Sequence, residues 1–198
     1  GAGFNWHSNA MVHCANEANA GACPEDEQVL SDMVLLSVDT FLDLPIGDGA
    51  FTGYASYSYY EFGQDNLRRI GIANISDQGG AFGNAYPMIG TGHHLFGEVG
   101  YLLPVRPFGQ HKLMPYGTIQ ASFFEQLDDA ALIYELGFKY YLIGHHASVT
   151  LHWRNRPTFV AANPAFDPMV PDGGPEFVTS TNEGRRANEL IMQLQIWL

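Results

Sequence analysis

The run Leu132-Ile133-Tyr134-Glu135-Leu136-Gly137-Phe138-Lys139-Tyr140-Tyr141-Leu142 decides how the rest of the chain is read. Leu132, Tyr134, Leu136, Phe138, Tyr140 and Leu142 recur at every second position, with Glu135, Gly137 and Lys139 between them. Side chains of a strand alternate between two faces, whereas a helix would mix both sets on one surface. The run therefore predicts a strand with one apolar and one polar face. The alternation continues in Ala147–Arg154, where Ala147, Val149, Leu151 and Trp153 oppose Ser148, Thr150, His152 and Arg154. Gly144-His145-His146 between the two reads as a short hairpin connection. The pattern returns at the end of the sequence, where Leu190, Met192, Leu194, Ile196 and Leu198 oppose Gln193 and Gln195.

Towards the N-terminus the same period marks Leu113–Phe124, with Tyr116, Thr118, Gln120 and Ser122 on the polar side. It marks His94–Leu103, with Glu98 and Gly100 polar, then Phe51–Tyr60 and Met33–Leu42, and Gly1–Trp6 reads as the end of one more strand. The connections alternate in length. His7–Asp32, Glu61–His93 and Asn155–Ala187 are long; Asp43–Ala50, Pro104–Lys112 and Ile143–His146 are short, and Glu125–Ala131 is tight. Outer-membrane barrels have minimal periplasmic turns and extended external loops, and a soluble sandwich has no cause to sort its loops in this way.

The expected fold is thus all-β, an antiparallel transmembrane β-barrel with eight strands visible. Residues 1–198 form one barrel domain in this reading. A spanning strand needs about 9–11 residues, and Gly1–Trp6 falls short, so the chain is expected to be the C-terminal part of a larger barrel with more strands upstream. The expected location is the bacterial outer membrane, with its lipid as one partner and small hydrophilic solutes as the other.

Composition agrees. With 46% hydrophobic, 13% aromatic and 15% charged residues among 198, the chain is too apolar for disorder and carries less charge than the roughly one quarter usual for a soluble domain. A net charge of −12 with 9 Lys+Arg leaves no basic surface for nucleic-acid phosphates. No apolar run reaches the length of a transmembrane helix, which has no bearing on strands that cross a bilayer.

The run Phe82–Gly92, followed by Gly100-Tyr101-Leu102-Leu103-Pro104, resembles the outer-membrane porins of Bacteroidetes-type bacteria, distant relatives of phosphate-selective porins; so do Leu142–Ala147 and the final Leu194-Gln195-Ile196-Trp197-Leu198. The resemblance covers what corresponds to the C-terminal half of such a porin. It implies a passive diffusion channel for small hydrophilic solutes or ions, and a homo-oligomer, often a trimer, or a subunit of a membrane complex. Two features depart from the family: Leu198 follows Trp197 where an aromatic residue usually ends the barrel, and lumenal Lys and Arg are few.

Glu98, Glu135, Lys139, His152 and Arg154 fall on the polar faces and are the candidate pore-lining residues. There they hydrate the wall and pair across strands, and rings of charge also set ion preference in wide pores. Cys14 and Cys23 lie in the first long connection, where an oxidising exterior favours a disulfide closing a small loop; a metal site would need further ligands such as His7 and His13. The His93-His94 and His145-His146 pairs cannot chelate as units, because neighbours on a strand point to opposite faces. Ser148, His152, Glu135 and Asp39 make a conceivable hydrolytic set, but Ser148 and His152 lie about 13 Å apart along one strand, beyond the contact a nucleophile and its base require. No cofactor motif and no enzyme is expected. Glu25-Asp26-Glu27 reads as a solvated loop, and Tyr54, Tyr57, Tyr59, Tyr60 and Phe62 as an interfacial aromatic girdle. Two other barrels fit the pattern: a structural or interaction barrel whose long loops bind a partner without an open pore, and a soluble barrel holding an apolar ligand inside.

Overall fold

The computed structural model describes residues 1–14, 24–63, 90–104, 112–125, 129–143, 146–157, 159–161, 177–179 and 186–197. Ten strands occur among them: β1 (Ala2–Cys14), β2 (Gln28–Ile46), β3 (Gly49–Glu61), β4 (Gly92–Leu102), β5 (Lys112–Phe124), β6 (Ala131–Ile143), β7 (Ala147–Pro157), β8 (Phe159–Ala161), β9 (Phe177–Thr179) and β10 (Arg186–Ile196). A single 3-10 turn, Glu25–Glu27, precedes β2. Eight of the strands form one sheet in the order β1-β2-β3-β4-β5-β6-β7-β10, and β8 pairs with β9 in a short ribbon of its own. Every ladder is antiparallel, so the chain is a succession of hairpins. The strands expected from the alternation are all present in this sheet.

The sheet does not close within the described residues. β1 pairs only with β2 and β10 only with β7, which leaves two free edges where a barrel would have none. The described strands form an open sheet, and the barrel expected from the sequence is not closed by them.

The first strand corrects a second expectation. Gly1–Trp6 was to be the stub of a strand followed by a loop to Asp32, but β1 has 13 residues and β2 begins at Gln28. The alternation fades because the ladder shifts register between His7 and Met11. Asn9 sits there with φ 55, a left-handed conformation that Asn tolerates better than most residues, as a bulge demands. Asp32 holds the irregularity, accepting from the Asn9 backbone N–H at 3.0 Å and from Trp6 Nε1 at 3.2 Å. β1 is therefore long enough to cross a bilayer, and the expected shortfall of the first strand is absent. Part of the expected loop from Asn155 is strand, namely the end of β7 and the β8–β9 ribbon.

Burial is inverted relative to a soluble sheet. The apolar face is open, with Leu36, Val38, Leu42, Leu95, Val99, Ile119, Leu136, Phe138, Trp153, Leu190, Met192 and Leu194 all exposed. The polar face contains the shielded groups, among them Ser58, Ser122, Ser148, His152 and Arg156. Among the described residues, strands have more than marginal contact only with the strands they pair with.

Candidate functional site

The polar face is organised in rows set by strand register. Glu98 on β4 stands opposite Thr118 on β5, which stands opposite Glu135 on β6, Arg154 on β7 and Glu189 on β10 in turn. Arg154 is thereby placed between two carboxylates. Its Nε pairs with Glu135 Oε1, and its NH1 lies 3.7 Å from Glu189 Oε2. Arg156 Nε reaches Glu189 Oε1 at 2.6 Å, and Thr118 Oγ1 donates to the second oxygen of Glu135 at 3.2 Å. Side-chain exposure of 16% for Glu135 and 7% for Arg156 separates these pairs from ordinary surface ion pairs, whose contribution is about 0–1 kcal/mol. Breaking one leaves a shielded charge uncompensated.

One row nearer the short connections, Tyr116 reaches across Gly137 to His152, with its hydroxyl 2.9 Å from Nδ1. Gly137 makes the crossing possible, since a Cβ there would lie 2.5 Å from His152 Cβ and 2.6 Å from the Leu151 carbonyl oxygen. The His152 Nε2 is buried without a hydrogen-bond partner among the described residues. Further along, Lys139 Nζ donates to Gln195 Oε1 at 3.4 Å and sits 5.4 Å from the Tyr141 ring centre. On the side of the long connections, His94 Nδ1 and Ser122 Oγ are 3.0 Å apart.

All five candidate residues share this face. Glu135 and Arg154 come into contact; His152 lies on the same strand two residues from Arg154; Lys139 and Glu98 stand apart, and Glu98 makes no ion pair among the described residues. Asp39 is on β2 against the N-terminal amine at 3.3 Å, and His152 is held by Tyr116, so the conceivable hydrolytic set is not assembled. His93 and His94 do point to opposite faces: His93 lies against Tyr57 and Tyr59 on the apolar side. The tyrosine cluster divides in the same way, leaving only Tyr57 and Tyr59 for an outer girdle while Tyr54 and Tyr60 face inward. Cys23 and His145, and the side chains of Cys14 and His13, lie outside the described residues, as does Phe82–Ile89 of the family resemblance.

Arg156 and Glu189 fall outside the strands expected from the sequence, which end at Arg154 and begin at Leu190, where the apolar alternation stops. At that rim the outward positions become Asn155 and Asn188, and the contrast between faces vanishes while the ladder continues. Alternation of charge alone, Arg154-Asn155-Arg156, was the signal available.

No known protein family, curated protein or solved structure matches the chain.

Proposed function

We propose that this sheet is part of the wall of a bacterial outer-membrane β-barrel that acts as a porin, a passive channel for small hydrophilic solutes or ions. The observation that carries the reading is the inverted burial, because an aliphatic surface left open on nearly every strand of a water-soluble sheet would drive association, whereas a bilayer is its natural solvent. The dimensions agree: the ten steps from Leu132 to Leu142 give roughly 34 Å of strand, which at the usual 35–45° tilt spans about 24–28 Å, the height of an outer-membrane apolar band.

A wide lumen is supported by what the inner side chains do not do. Tyr116 to His152 and Lys139 to Gln195 each cross a single intervening strand, and among the described residues no strand has more than marginal contact with a distant one. A narrow eight-stranded barrel would instead fill its interior with side chains meeting across the axis. Closure of the ring then requires strands beyond the eight, from the same chain or another. The row containing Glu98, Glu135, Arg154 and Glu189 lines the channel and biases ion passage.

Reconstitution into planar bilayers tests the function. Discrete conductance steps are expected. A bilayer-inserted, heat-modifiable protein that gives none refutes the channel, and is the result expected of a scaffold whose long connections bind a partner.

A further inference from the structure

A shallow groove of about 630 Å³ crosses the apolar face, lined by Ala55, Gly97, Gly117, Leu136, Tyr134 and Trp153 among others. The register creates it: Gly97 stands between Ala55 and Ile119, and Gly117 between Val99 and Leu136. Two missing side chains on adjacent strands leave a trough walled by larger neighbours. It runs from β3 to β7, four inter-strand steps or roughly 19 Å.

At its β6–β7 end the groove meets a cation. Arg186, the first residue of β10, lays its guanidinium over the ring of Tyr134, 5.4 Å from the centroid. It donates to the Leu132 carbonyl at 2.7 Å and the Asn155 carbonyl at 3.3 Å, and its Nε is bonded to Asn155 Oδ1. No carboxylate pairs with it among the described residues, whereas Arg154 and Arg156 both have one. A preorganised guanidinium with no carboxylate partner among the described residues, at the rim of an apolar face, is suited to a phosphate, and Tyr134 joins it to the groove.

We infer that this groove and Arg186 together form a site for an anionic lipid, with the headgroup phosphate on Arg186 and an acyl chain lying across Gly97 and Gly117. The inference rests on the membrane-wall reading above. The charge of Arg186 selects the occupant: a second copy of the chain or a neutral lipid could cover the groove, but neither explains a cation whose hydrogen-bond partners among the described residues are neutral oxygens.

Trp153 lines the groove and supplies the readout. In a background with every other tryptophan replaced by Phe, which within these 198 residues means Trp6→Phe and Trp197→Phe, its quenching by bromine-labelled acyl chains reports occupancy. In phosphatidylcholine vesicles, brominated phosphatidylglycerol should reach half-maximal quenching at about five-fold lower mole fraction than brominated phosphatidylcholine, the advantage one interfacial cation confers. Arg186→Gln should abolish the difference. Gly97→Val should reduce quenching by both lipids, since a Cβ at 97 meets Ile119 Cγ2 at an ordinary 3.5 Å and fills the trough without forcing the backbone. Equal quenching by the two lipids, or a preference that survives Arg186→Gln, overturns the inference. So does the absence of quenching by either lipid in a protein that floats with the vesicles, which would mean that protein covers the groove. Failure to float with the vesicles overturns the membrane-wall reading itself, and this site with it.

Discussion

Replacing Leu136 by Arg separates a lipid-facing wall from a sheet in water. Leu136 is 61% exposed and lies midway along β6, in the outward row Leu42, Gly53, Val99, Gly117, Leu136, Trp153 and Leu190. If that row faces the middle of a bilayer, an Arg there costs about 2–4 kcal/mol, a roughly 30- to 700-fold drop in the folding constant. If it faces water, an exposed Leu exchanged for Arg changes stability by no more than about 0.5 kcal/mol. The assay is equilibrium unfolding in denaturant from phosphatidylcholine vesicles, followed by tryptophan fluorescence. Gln193→Arg, an exposed position on the polar face, serves as the control and should remain near the parent protein. A Leu136→Arg variant within about 0.5 kcal/mol of the parent, in vesicles that demonstrably carry it, would refute the assignment of this face to lipid.

Arg154→Gln removes the cation between Glu135 and Glu189, and should shift the zero-current potential in a salt gradient towards cation preference while costing about 1–3 kcal/mol of stability; an unchanged potential argues that these carboxylates do not face the permeating ions. Gly137→Val forces a side chain against His152 and the Leu151 carbonyl, and its expected loss of about 1–3 kcal/mol is read as a lower denaturation midpoint. Tyr116→Phe deletes the hydroxyl at His152 Nδ1 and should cost about 1 kcal/mol; a double-mutant cycle with His152→Ala then measures the coupling, and a zero coupling energy would show that the crossing over Gly137 does not hold the two strands together.

What was legible from residues alone was local. Strand identity and the division into faces follow from period two, a property each strand carries in its own few residues. Hence Glu98, Glu135, Lys139, His152 and Arg154 were assigned to one surface correctly. The reading failed where the local contrast did. At Asn9 a bulge interrupts the period, and beyond Trp153 and before Leu190 the outward face itself turns polar, which hid Arg156 and Glu189.

By itself, then, the sequence determined an all-β chain of two-faced strands joined as hairpins, because alternation is written into neighbouring residues. Only the tertiary structure decided which of those faces is shielded, that the eight strands stop short of a ring, that Arg154 stands between Glu135 and Glu189, and that Gly97 and Gly117 open one groove beside Tyr134 and Arg186. Those are matters of register and of strand assembly. They depend on how the turns and the packing across strands align segments remote in the chain, and no period within a single strand records that alignment.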